Sequence, residues 1–164
     1  MNNLQITVTD RAGKYRELIP QLKALLDSET DWIANLANTA AAIYSTFGFH
    51  WVGFYLVKGE ELVLGPFQGP VACTRIGFGR GVCGTAWKEV RTLLVPDVDA
   101  FPGHIACSAL SRSEVVVPVF NREKVVAVLD IDSSLPDDFS DTDQMGLEEI
   151  GRMLSHKYHS ASGF

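Results

Sequence analysis

No run of about 18 apolar residues occurs in the chain, so no segment reads as a membrane span. Residues 1–13 mix Asn, Gln, Thr, Asp and Arg and lack the apolar core of a signal peptide, so a cytoplasmic protein is expected. Basic residues are few: 14 Lys and Arg stand against 20 Asp and Glu, a net charge of -6, which argues against a phosphate-binding face and a nucleic-acid partner. Cysteine is scarce and odd in number. Cys73, Cys83 and Cys107 cannot close a disulfide framework within one chain, and in a reducing compartment they are thiols by default. The chain also lacks internal repeats, linkers and any C-x-x-C pair.

What remains is an ordinary globular composition, 46% apolar and 21% charged over 164 residues, which fits a single domain spanning 1–164. Tyr15, Leu18, Ile19, Leu22, Leu25 and Leu26 recur at helical spacing over 14–27, with Pro20 either kinking the helix or marking a start near Ile19. A second helix follows an N-cap at Thr30, carries Trp32, Ile33, Leu36, Ala40, Ile43, Tyr44 and Phe47 on one side, and stops at Gly48. Residues 50–57 and 61–66 read as a hairpin around Lys58-Gly59. The stretch 65–84 holds six of the fourteen glycines and reads mainly as loop, leading to a short helix over 85–89 and a strand over 92–95.

Residues 96–112 form a long irregular stretch, the kind of loop that often carries function. Residues 115–120 and 125–131 make a second, strongly apolar hairpin. The last helix starts at Ser140, with Asp143 placed for a capping-box variant, and presents Met145, Leu147, Ile150, Met153 and Leu154. This order predicts an α+β fold, a mainly antiparallel sheet with helices packed on it.

Gly79, Gly81 and Gly84 satisfy G-x-G-x-x-G, with Asp97 and Asp99 downstream, but the flanking strand and helix are too short for a dinucleotide site. These glycines read instead as a loop that turns sharply and approaches something closely. Cys83 precedes the predicted short helix, whose N–H groups and dipole could favour a thiolate, but Val82 and Ala86 flank it with apolar character, and taken alone it reads better as a small buried, inert cysteine. Cys107 lies in the polar loop near His104, Ser108 and Ser111, where packing explains it less well. A zinc set of Cys73, Cys83, His104 and Cys107 has unsuitable spacing, and no metal is expected.

Glu114 heads one strand of the second hairpin, and Asp130 and Asp132 end its partner. The two aspartates share a face because side chains alternate. Pairing Phe120 with Lys124 across three loop residues sets Glu114 opposite Asp130, and a one-residue slip reverses its face. Carboxylates at the end of such apolar runs suggest a polar pocket; the bland alternative is a solvated turn. Calcium binding by Asp130, Asp132 and Ser134 fails for want of a glycine turn and a closing Glu. Trp51 and Tyr55 face one side of the first strand, as an aromatic wall or as core.

Together, His50-Trp51-Val52-Gly53-Phe54-Tyr55, Gly65-Pro66-Phe67-Gln68-Gly69, Gly79-Arg80-Gly81-Val82-Cys83-Gly84, His104-Ile105-Ala106-Cys107-Ser108, Ser113-Glu114-Val115-Val116-Val117-Pro118 and Leu129-Asp130-Ile131-Asp132-Ser133 resemble the GAF-domain free methionine-(R)-sulfoxide reductases over roughly 15–158. The resemblance implies a GAF-like fold, a thioredoxin-recycled thiol oxidoreductase acting on free L-methionine-(R)-sulfoxide, and no cofactor. It makes Cys107 the nucleophile, Cys73 the usual resolving cysteine and Cys83 a third cysteine close to the site. Glu114, Asp130 and Asp132 match pocket carboxylates, and Trp51 and Tyr55 match aromatics near the substrate. Chemistry of this kind needs an acid beside the thiol, for which Glu114 or Asp132 is the choice, while Asp130 suits the substrate ammonium group. A non-catalytic, ligand-sensing GAF domain is the alternative, and a homodimer joined through the terminal helices also stays open.

Overall fold

The computed structural model describes residues 4–105 and 109–161. The Asp10 carboxylate accepts from Gly13 N at 2.7 Å and opens α1 (Arg11–Asp27), so the helix begins well before Ile19. Pro20 sits inside it on the exposed side. The carbonyl deprived of its donor belongs to Arg16, also exposed and so open to solvent. α2 (Trp32–Phe47) is capped by Asp31 rather than Thr30, through Ala34 N at 2.8 Å, and ends at Gly48 with φ 71°. Leu36, Ala40 and Ile43 are buried as expected, whereas Ile33 and Tyr44 face outward. Asn35 and Thr39 take inward positions, and the Thr39 hydroxyl donates to Asn35 O at 2.8 Å.

Strands β1 (Trp51–Lys58) and β2 (Glu61–Gln68) form the first hairpin. A third strand, β3 (Arg75–Gly77), lies in the segment expected to be mainly loop. It is followed by α3 (Gly81–Glu89), which starts four residues before the expected Thr85, and β4 (Leu93–Val95). A 3-10 turn (Val98–Ala100), β5 (Ser113–Asn121), β6 (Lys124–Ser133) and α4 (Asp141–Ala161) complete the chain. The six strands run β3-β2-β1-β6-β5-β4, each pair antiparallel. This is the α+β fold the pattern predicts.

Alternation along the strands builds two cores. Val52, Phe54, Val115, Val117, Leu129 and Ile131 pack under α1, α2 and α4. Trp51, Tyr55, Val116 and Val128 face the other way, toward Val82, Cys83 and Ala86 of α3. α4 begins with a reciprocal cap: Asp143 Oδ2 accepts from Ser140 N at 3.0 Å and Thr142 N donates to Ser140 Oγ at 3.3 Å. Leu147, Ile150 and Leu154 are buried, but Met145 is 65% exposed, one step off the stripe. Among the described residues no helix is long and apolar enough to cross a membrane.

The register of the second hairpin differs from expectation in an instructive way. The turn is two residues, Arg122 and Glu123, with Asn121 opposite Lys124. Continued regularly, that pairing would set Glu114 opposite Ile131 and turn it toward the helical core. A β-bulge between Val119 and Phe120, with Val126 as the extra residue on β6, shifts the ladder by one. Glu114 therefore faces Asp132, not Asp130, which lies opposite Val116. All three carboxylates end on the α3 side.

Candidate active site

Between the sheet and α3 lies a cavity of about 40 Å³, room for a few waters, lined by Trp51, Tyr55, Cys83, Glu114, Asp130 and Asp132, with His104 and Ser111 at its edge. No Lys or Arg lines it among the described residues. Glu114 and Asp130 are each 6% exposed and Cys83 3%. The structure thus brings together every site residue expected from the sequence except two. Cys107 lies outside the described residues. Cys73, in the loop after β2, is disulfide-bonded, whereas Cys83 is a free thiol.

The aromatic wall has a cause in the backbone. Gly53 pairs with Asp130 across β1 and β6, and a Cβ there would run into the Trp51 ring and Phe67. Its absence lets the indole lie along the sheet, stacked on Phe67 at 5.3 Å and on Tyr55 at 6.0 Å between centroids. Both aromatics also carry polar tips: Trp51 Nε1 donates to Pro70 O at 3.0 Å and the Tyr55 hydroxyl to Cys73 O at 2.9 Å. They thereby fix the loop that carries Cys73.

Cys83 occupies the first turn of α3 instead of preceding it. Its thiol is pushed well above the ordinary range, first by burial and then by the charges of Asp130 and Glu114. Cys83 is thus the buried thiol its apolar flanks suggest: desolvation and three nearby acids outweigh the dipole of a nine-residue helix. The glycines around it act through close approach, since a Cβ on Gly84 would collide with Gly77 O, and Gly79 N donates to Gly84 O at 3.0 Å.

The acids differ in protonation. Burial raises Glu114 well above its usual range, and the neighbouring Asp130 and Asp132 raise it further. Asp132 is also raised well above its range by burial and then by Asp130, against a hydrogen bond from Ser111. Asp130 rises only to about 6, because hydrogen bonds from Cys83 and Glu114 favour its charged form against burial. Of the three acids, Asp130 is the one whose charged form the cluster supports most, and burial favours the protonated form of the other two. Asp130 Oδ1 is buried without a hydrogen-bond partner, which suits a cationic group of a ligand. Gly53 and Ser111 were missed as site residues; only the resemblance motif, which includes Gly53, carried a signal for the former.

The GAF domain family model matches residues 31–156. The free methionine-R-sulfoxide reductase of Escherichia coli (strain K12) is 46% identical over 141 residues, covering 85% of this chain and 86% of its own. That of Saccharomyces cerevisiae is 38% identical over 148 residues, covering 85% and 82%. The structure of the Neisseria meningitidis free methionine-R-sulfoxide reductase, in complex with its substrate, superimposes with a TM-score of 0.96 at 52% identity, over 98% of both chains. With that likeness running through the cavity-forming elements, the chain belongs to the GAF domain family, among its free methionine-R-sulfoxide reductases.

Proposed function

We propose that the chain reduces free L-methionine-(R)-sulfoxide to methionine, with Cys107 as nucleophile and Cys73 as resolving cysteine. The Cys107 thiolate attacks the sulfoxide sulfur while a carboxylic acid of the pocket protonates the departing oxygen. The S–O bond breaks as that hydroxyl passes to the Cys107 sulfur and the transient S–S bond opens; methionine leaves, and the resulting sulfenic acid on Cys107 condenses with the Cys73 thiol, releasing water and forming a disulfide. A dithiol of the thioredoxin class then reduces that disulfide by exchange. The observation that carries this reading is the geometry of the acid cluster: Glu114, Asp130 and Asp132 converge on one cavity, burial favours the protonated form of Glu114 and Asp132, and Asp130 Oδ1 is the unpartnered oxygen available to the substrate ammonium group.

That Cys73 is disulfide-bonded while Cys83 is a free, buried thiol supports Cys73 over Cys83 as the resolver. A buried anion facing an ammonium group favours the free amino acid over a peptide-bound residue, which offers no ammonium group there. The test is to incubate the protein with each methionine sulfoxide diastereomer and a thioredoxin system while following NADPH loss. Oxidation of NADPH with the free R form, and little with the S form or a peptide, is expected. Binding without turnover would favour a ligand-sensing domain, and equal rates on free and peptide-bound substrate would defeat the assignment.

A further inference from the structure

Cys83 has no part in the reaction proposed above, yet its sulfur is buried against the acid cluster. Cys83 Sγ lies 3.9 Å from Glu114 Oε1, and one ligand-type atom from each of Cys83, Glu114 and Asp130 falls within 4.8 Å of the other two. Usual zinc distances in tetrahedral geometry set sulfur and oxygen ligands about 3.5 Å apart, so small rotations would close the set. A second observation points to an absent partner: Asp130 Oδ1, on a residue 94% withdrawn from solvent by its 6% exposure, accepts no hydrogen bond. His104 Nε2 stands 3.9 Å from Glu114 Oε2 and offers a fourth ligand. We propose that Cys83, Glu114 and Asp130 form a binding site for a thiophilic divalent cation of the zinc type, and that cation and substrate exclude each other from the pocket.

The donor set selects the cation. One thiol, two carboxylates and a nearby imidazole match four-coordinate zinc, whereas calcium requires six to eight oxygens. Electrostatics act in the same direction, since the cavity has three carboxyl groups and no Lys or Arg among its described lining residues. A dication would neutralise that cluster and displace the protons its thiol and carboxyl groups carry. The site differs from the Cys73, Cys83, His104 and Cys107 set considered from spacing. Its three core ligands come from α3, β5 and β6, which the fold holds together irrespective of the redox state of Cys73, and only His104 comes from the loop before β5. The exclusion of substrate rests on the proposed reductase reading, because the same Asp130 oxygen serves both; the metal site itself does not.

The test uses the oxidised protein, in which Cys73 is bonded and Cys83 supplies the thiol. Titration with cadmium should give a thiolate-to-cadmium ultraviolet band that saturates at one equivalent, and zinc should displace it. Cys83→Ser should abolish the band. Asp130→Asn and Glu114→Gln should keep the band while weakening zinc by more than about tenfold, with circular dichroism confirming that each variant is folded. No band in the wild type, or an unchanged band in Cys83→Ser, overturns the site; unchanged zinc affinity in both carboxylate variants overturns the ligand set. If zinc binds as expected but methionine sulfoxide does not compete, the shared-pocket clause fails and the metal site stands. Competition in a protein without turnover would separate failure of the reductase reading from failure of this one.

Discussion

The Tyr55 hydroxyl donates to the Cys73 carbonyl at 2.9 Å, and from the same strand Trp51 Nε1 donates to the Pro70 carbonyl at 3.0 Å. The aromatic wall is also a tether for the loop bearing Cys73. Tyr55→Phe keeps the ring and removes one tether. Losing a hydrogen bond of about 1 kcal/mol should slow disulfide closure, and thioredoxin-linked turnover with it, about fivefold. Methionine release in a single turnover should stay near wild type, as rapid quenching would show. An equal fall in both steps would instead place the hydroxyl's role at the substrate.

Cys107→Ser should abolish reduction even in one turnover. Cys73→Ser should release one methionine per chain and then stall with thioredoxin. A full single turnover by Cys107→Ser would mean that the nucleophile is another residue, and normal cycling by Cys73→Ser would transfer resolution to Cys83.

Glu114→Gln and Asp132→Asn remove ionisable protons with little change in shape. Loss of a positioned acid costs about 10²- to 10⁴-fold, and at least one of the two variants should show it mainly in kcat. Asp130→Asn should act chiefly on KM. With Asp130 titrating at about 6, wild-type kcat/KM should rise as pH increases through 6, and that limb should vanish in Asp130→Asn. Near-normal kcat in all three variants would reduce the carboxylates to recognition groups.

The same cluster makes stability depend on pH with a defined sign. Asp130 titrates at about 6 in the folded chain against an ordinary 3.8, so between those values the native state keeps a proton that the unfolded chain has lost. The stabilisation is complete below about pH 4 and is lost as pH rises through 6, a contribution of about 3 kcal/mol. Chemical denaturation from pH 4 to 8 should show a shallower decline in Asp130→Asn than in wild type. Glu17 and Asp27, which are lowered by their hydrogen-bonding partners, act in the opposite direction, so the variant's difference from wild type is the informative quantity.

Long-period features were legible in the sequence. The apolar stripe of α1, the Gly48 stop, the Ser140–Asp143 cap and both hairpins follow from spacing and local chemistry, and the faces of Trp51 and Tyr55 follow from strand alternation. The equally short β4 was legible over 92–95, but β3 was not: it is three residues long and exists because β2 offers it an edge, a long-range contact that no local pattern announces. The acidic surroundings of Cys83 were hidden for a related reason. Its apolar flanks give its burial, but its acidic neighbours arrive from β5 and β6, 31 or more residues away. Thr30 lost the capping role to Asp31 by a single position, a distinction that residue preference alone does not make.

The extra residue Val126 sits at the hairpin end of the sheet, six residues from Glu114 along the paired strand, or roughly 20 Å. Side-chain parity travels undamped along a strand, so how this one extra residue is accommodated near the tip decides which face an acid presents at the far end. Were Val126 paired in place instead of bulged out, every partner beyond it would slip by one, Glu114 would be aimed at a hydrocarbon interior, and the pocket would lose an acid without any of its own residues being altered. Deleting Val126 outright leaves Val119 opposite Ala127 and Glu114 opposite Asp132, so descendants that keep the chemistry are expected to keep the residue and the bulge together or to lose both.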